Sequence, residues 1–409
     1  MTLPIDVVVT GRGLVTACGL GAEALATALA RGEPCASPIE RLASVSERRR
    51  AARTAGRVTG TAWDEWLSRR DARRLSPPSV YAVVAARMAL ADAGLALPET
   101  PDPDCAVFLA TAFGASSFSQ RMLDQILDEG PEAISPFLFM ESVANAPAGQ
   151  VAILCRAGGP NHTLCQREAG PLAALGRAAA EVALGRAERA LAGAVEEVNP
   201  LLQTALDRFG ALSDRPRPFD RRRDGVLAAE GATVLVVEPA AAARRRGARA
   251  LARVRAWGGT FDPTAPPADW GTGADAVAAG MRRGLARAGL LDAGGRPAAV
   301  DAVVSGASGA RRGDRLEAAV LRALFGAGLP PLLVPKAVTG EYAGAPLAAA
   351  LLALAGRPFA GPAGGFEPDP ELGVAPHDGS PLPPLRRVLL TAQAAGGAGS
   401  WGILDHPES

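Results

Sequence analysis

One stretch of this chain is written twice. Leu90-Ala91-Asp92-Ala93-Gly94-Leu95 returns 195 positions later as Leu285-Ala286-Arg287-Ala288-Gly289-Leu290. Gly114 and Gly309, each closing an apolar strand, stand at the same offset. An Ala-rich helix ending in Ala-Gly-Leu arises cheaply, but two landmarks at one spacing point to an internal duplication. In the first copy Ser76-Pro77-Pro78 opens a helix over 80–93 that Gly94 ends, and the strand 105–111 leads to Phe113-Gly114. In the second, a helix over 274–288 ends at Gly289 and the strand 300–304 leads to Gly309. Ahead of both, the β-branched run 5–10 predicts a first strand stopped by Gly11 and Gly13, then a helix over 21–31. Residues 40–75 are Arg-rich and polar and read as a surface excursion. Strands alternating with helices predict an α/β chain whose parallel sheets are covered by helices. The break falls at Pro239 to Gly247, giving halves 1–240 and 248–409.

Composition narrows the function classes. Lys+Arg 43 against Asp+Glu 42 leaves +1, so no global charge calls for nucleic acid or an anionic membrane. Hydrophobic content of 48% with 21% charged residues is that of an ordinary folded chain. The longest apolar run, 345–355, is about half of what a bilayer span needs. With no basic, apolar leader at the N-terminus, the expectation is a cytoplasmic protein. Five scattered cysteines without a CxxC pair, and three dispersed histidines, argue against both a metal site and a disulfide framework. The turn Gly11-Arg12-Gly13 lacks the third glycine of a dinucleotide fingerprint, Thr16 standing in its place, so no nicotinamide or flavin cofactor is expected.

Four segments carry the chemistry. They are Gly159-Pro160-Asn161-His162-Thr163-Leu164-Cys165-Gln166-Arg167-Glu168-Ala169-Gly170; Pro218-Phe219-Asp220-Arg221-Arg222-Arg223-Asp224-Gly225 with Glu230-Gly231; Gly306-Ala307-Ser308-Gly309 with Gly313-Asp314-Arg315-Leu316-Glu317; and Lys336-Ala337-Val338-Thr339-Gly340-Glu341. In this order, and with Val8-Val9-Thr10-Gly11-Arg12-Gly13, they resemble the β-ketoacyl synthases of the thiolase superfamily over nearly the whole chain. The resemblance implies a thiolase-like fold, a duplicated five-layered α/β/α/β/α core that dimerises. It also implies a Cys-His-His site, in which a helix N-terminus favours the thiolate and two histidines stabilise the enolate. Placed on that pattern, the cysteine position falls on Glu168 and the histidine positions on Gly306 and Glu341. None of the three catalytic groups remains. Cys165 comes three residues early and reads as a small buried hydrophobe, and His162 as structural. Asp314, Glu317 and Lys336, the only lysine in the chain, stand where the family holds a charge network, and read as a buried structural ion network.

A ketosynthase shape without its nucleophile is similar to the chain-length-factor subunits of type II polyketide synthases, where the cysteine is typically Gln. Arg167-Glu168-Ala169-Gly170-Pro171-Leu172 keeps their Ala-Gly-x-Leu frame with Glu in place of that Gln, which leaves polyene-type systems open beside aromatic ones. Proline suits the first helical turn, and a carboxylate suits a helix N-terminus. The resemblance implies a catalytically silent subunit that pairs with an active ketosynthase, receives chains from an acyl carrier protein, and shapes the tunnel that sets product length. It places the tunnel wall within 111–139, where Phe113, Phe118, Met122, Phe137 and Phe139, with Met140 just beyond, are the large side chains on offer, and the partner interface along 161–167. Two rival readings stay open: malonyl decarboxylation by a Glu168–Glu341 pair with one raised pKa, and a homodimeric scaffold whose arginine clusters (48–50, 69–74, 221–223, 244–246) attract an acidic carrier protein.

Overall fold

The computed structural model describes residues 5–39, 52–60, 63–342 and 344–408. Ten strands form the main path of one sheet: β1 (Val7–Thr16), β2 (Cys105–Ala110), β3 (Asn161–Leu164), β4 (Arg189–Glu196), β5 (Gly231–Pro239), β6 (Ala252–Phe261), β7 (Ala302–Ser305), β8 (Leu332–Leu333), β9 (Arg387–Gln393) and β10 (Ala398–Asp405). Their order is β8-β7-β9-β10-β6-β1-β5-β4-β2-β3. The first five strands run β3-β2-β4-β5-β1 and the last five β8-β7-β9-β10-β6, the same order with every label raised by five. Strand directions repeat as well. β2 is parallel to β3 and β4 as β7 is to β8 and β9, while β5 and β10 are each antiparallel to both neighbours. The fold is therefore the duplicated α/β one, and we propose the division at 240–247 as its joint.

The sheet is mixed rather than parallel, and it is continuous, because Val8 and Val9 of β1 pair with Arg253 and Ala252 of β6. Alternation of strand and helix does not reveal this, since β5 and β10 each turn back against their neighbours. Nor do Gly11 and Gly13 stop β1. They lie inside it, where a Cβ would stand 2.1 Å from the Ala89 carbonyl and 1.8 Å from that of Ala85. Both carbonyls belong to α2 (Pro77–Asp92), which the two glycines let down onto the strand. The repeat's other landmarks share a conformation: Gly94 and Gly289 follow their helices at φ 68° and 69°, the left-handed region where a side chain is strained.

Helices complete the five layers. α2 covers the outer face of the first half, and α5 (Ala274–Arg287) and α6 (Arg311–Phe325) that of the second. Between the halves lie α4 (Gly170–Ala183), touching β2 and β4 on one side and β6 and β10 on the other, and α7 (Ala345–Leu354), against β5, β7 and β9. Every residue of α7 is buried, so the apolar run in the sequence is a central core helix. Its four leucines each contribute about 1.5–3 kcal/mol by leaving water. Among the described residues no single helix is long and apolar enough to cross a membrane.

Two expectations change. Residues 40–51, 61 and 62 fall outside the described residues, but Ala55 and Leu67 from the supposed surface excursion are buried, and Gly56 bridges to Ala229. Cys18 and Cys35 form a disulfide, with Cα atoms 5.3 Å apart, which cysteine spacing alone does not foretell. It clips the end of β1 to a segment whose Cys35 N–H donates to the Val338 carbonyl at 2.8 Å. Closing a loop between residues 17 apart contributes about 3 kcal/mol. Dithiothreitol is therefore expected to lower the urea midpoint of the native chain but not that of a C18S/C35S variant.

Candidate active site

The 3₁₀ turn Arg167–Ala169 joins β3 to α4, and it carries Glu168. Arg167 holds φ 47° there, an uncommon setting for a side-chain-bearing residue and the mark of a sharp turn. Around Glu168 the fold assembles Gly306, Ser308, Asp314, Glu317 and Gln393, walling a cavity of about 10 Å³, together with Trp270. That is room for about one water molecule.

Each sequence-predicted position has a definite surrounding. At Gly306 a Cβ would lie 2.9 Å from the Thr391 carbonyl and 3.0 Å from Ala392, so the backbone of β9 fills the space a histidine side chain would need. Lys336 is fully buried and forms an ion pair with Glu341. Asp314 and Glu317 are held otherwise. Asp314 Oδ2 accepts the Phe219 N–H at 2.8 Å, and its Oδ1 accepts those of Ser308 and Gly309 at 3.3 and 3.2 Å. This ties the Pro-Phe-Asp motif to the Gly-Asp-x-x-Glu motif. Glu317 accepts the hydroxyls of Ser305, at 2.9 Å, and Thr391. Glu230 anchors Arg57 and the N–H groups of Val58 and Val198. These motif acids hold loops in place.

The cluster is short of cations. Burial, then the neighbouring Glu341 carboxylate, pushes Glu168 up to about 7 against the pull of Lys336. Burial likewise raises Asp314 to about 7, against the Phe219, Gly309 and Ser308 amides, and raises Glu317. Oε2 of Glu168, of Glu317 and of Glu341 are each shielded without a hydrogen-bond partner. A carboxyl whose folded pKa is raised holds its proton better folded than unfolded. Its stabilising contribution is complete below the ordinary carboxylate range and is lost as pH climbs through about 7. Glu168→Gln is therefore expected to flatten the decline in urea midpoint between about pH 5 and about pH 8.

Cys165 corrects the sequence reading: it is exposed, just past the end of β3, and burial raises its pKa, so it is neither a packed hydrophobe nor an activated thiolate. His162 stacks on Phe108, ring centroids 5.3 Å apart. Of the tunnel candidates, Phe118 is buried with Leu138, Met122 and Phe137 pack against them, and the rings of Phe118 and Phe137 meet edge-on at 6.0 Å. Phe113, Phe139 and Met140 lie outside that cluster, 46%, 58% and 62% exposed. Sequence reasoning missed Trp270 and Gln393, which sit in loop and strand ends that no motif marks. It also missed Glu196, which burial pushes up to about 8 while it accepts the Ala112 N–H at 2.6 Å.

Residues 5–243 match the model of the beta-ketoacyl synthase N-terminal domain. The chain belongs to the β-ketoacyl synthase family. It is 32% identical to the tetracenomycin polyketide synthase ketoacyl synthase beta subunit of Streptomyces glaucescens, over 91% of each chain. It is 30% identical to 3-oxoacyl-[acyl-carrier-protein] synthase 2 of Vibrio cholerae, over 83% of this chain and 82% of that one. Among solved structures it superposes on the ishigamide ketosynthase/chain length factor with a TM-score of 0.86 at 28% identity, covering 98% and 99% of the two chains. The thiolase-like fold and the likeness to a ketosynthase/chain length factor thus stand together, and this member of the family has relatives named as polyketide ketoacyl synthase subunits and as 3-oxoacyl-[acyl-carrier-protein] synthases alike.

Proposed function

We propose that this chain is the catalytically silent, chain-length-factor subunit of a type II polyketide synthase, pairing in the cytoplasm with an active ketosynthase that an acyl carrier protein serves. The observation that carries the reading is the triad of positions Glu168, Gly306 and Glu341. No thiol or imidazole stands there, Gly306 has no room for one, and the space beside Glu168 is about 10 Å³. Without a nucleophile or an enolate-stabilising donor, the family's condensation has no acting groups in this chain. What is left is a shape. β3 ends the strand order with a partner on one side only, and Phe113, Phe139 and Met140 stand exposed in the connection that leads from β2 to it. A ketosynthase seated there supports both the pairing and a tunnel closed by the Phe118, Met122 and Phe137 cluster.

Glu168, with its pKa near 7, beside Glu341 favours the decarboxylase reading, but a one-water cavity leaves a malonyl group no place. The scaffold reading rests on arginines of which half of those described are engaged: Arg221 pairs with Glu367, Arg222 and Arg223 with Asp220 and Asp369, Arg246 with Glu238, and Arg69 with Asp64. Arg48 to Arg50 lie outside the described residues. Co-expression with an active ketosynthase followed by size-exclusion chromatography is expected to give a stable 1:1 complex, and a persistent homodimer would favour the scaffold. In the reconstituted pair Phe118→Ala is expected to shift products to longer chains, and unchanged lengths would remove Phe118 from the wall.

A further inference from the structure

Between the end of β6 and the start of α5, residues 262–273 form a strap whose two ends are fastened to one carboxylate. Buried Asp262 accepts the Thr264 N–H and hydroxyl at 2.9 and 2.7 Å and the Gly273 N–H at 3.1 Å. Midway, the Asp269 carbonyl accepts the Gly396 N–H at 3.0 Å, and the Asp269 carboxylate pairs with Arg312 of α6. These ties hold the strap on either side of Trp270. Its indole lies on Gly313 of α6, where a Cβ would meet ring atoms at 2.9, 3.0 and 3.2 Å. From there it forms one wall of the cavity that Glu168, Gly306 and Ser308 share.

The geometry points to Trp270 as a stopper: a ring on an anchored strap that bars a slender thioester arm from reaching Glu168. This rests on reading Glu168 as the emptied nucleophile position, and it deepens that reading. The subunit is shut by a side chain as well as stripped of its chemistry, so an acyl chain enters its walls only from the partner's side. Gly313 is part of the device. Gly313 stands in the first turn of α6, where Ala is no worse a helix former than Gly, yet here a methyl group would lift the indole off its seat.

Thiol labelling tests the stopper without any partner. In a C165S background, which removes the exposed native thiol, E168C is treated with N-ethylmaleimide alone, with W270A and with G313A, near-ultraviolet circular dichroism confirming the fold. The expected result is slow reaction of E168C and a rate at least tenfold higher in both double combinations. Equal rates in all three, or fast labelling with Trp270 in place, would overturn the stopper. If W270A fails to fold, G313A, which keeps the ring and only displaces it, decides by the same criterion. Failure here leaves association with a ketosynthase intact, whereas failure of that association leaves the labelling rates unchanged, so the two readings fall separately.

Discussion

Lys336→Met is expected to cost about 3–5 kcal/mol in unfolding free energy, because it strands the largely buried Glu341 carboxylate without its cation. Lys336 is completely buried, its ammonium pairs with Glu341, and its charge reaches Glu168 and Glu317. Removing that charge leaves three crowded carboxyl groups with no ammonium. They respond by taking up protons, so the loss grows as pH rises. Urea unfolding of K336M, E341Q and the double variant, compared as a cycle, is expected to show the double variant losing much less stability than the sum of the single losses. Additive losses would mean that the pair is not coupled. Arginine dominates this chain everywhere else, and a compact ammonium is what a fully enclosed slot holds more easily than a planar fork.

The second large effect concerns reinstalling the missing groups. Gly306→His is expected to destabilise by about 3 kcal/mol, since even a Cβ there meets the β9 backbone at 2.9 Å. The E168C/G306H/E341H combination is worse placed still. It adds the imidazole clash and at the same time removes both carboxylates nearest Lys336, leaving the ammonium to Glu317 alone. That variant is expected to lose its cooperative unfolding transition and to show no condensing activity. A folded variant that extended a malonyl unit would mean the site is merely substituted and not remodelled around its substitutions. Thermal unfolding read at two wavelengths, with a single-turnover condensation assay, distinguishes these outcomes.

What the sequence revealed and what it hid divide along physical lines. The duplication was legible because Gly94, Gly289, Gly114 and Gly309 all take a positive φ, which leaves a residue-type signature at a fixed offset. The emptied positions were legible because ordered motifs bracket them. The strand directions were hidden, since pairing is a property of register and not of local pattern. Gly11 and Gly13 read as turn residues when their purpose is close approach of α2, a difference only the packing shows. The Cys18–Cys35 disulfide and the Lys336–Glu341 pair both depend on which neighbours the chain brings together. Asp314 and Glu317 looked like ion-pair partners of Lys336, yet backbone amides hold Asp314 and hydroxyls hold one oxygen of Glu317. Trp270 lies in a loop with no periodicity, so nothing short of its seat on Gly313 reveals it.

The most direct measurement is chain extension by this chain co-purified with the active ketosynthase proposed as its partner, with single replacements in either one. Glu168→Ala in this chain is expected to leave product formation intact, while replacing the partner's active-site cysteine abolishes it. Loss of extension on Glu168→Ala, with the complex still assembled, would contradict a silent subunit outright.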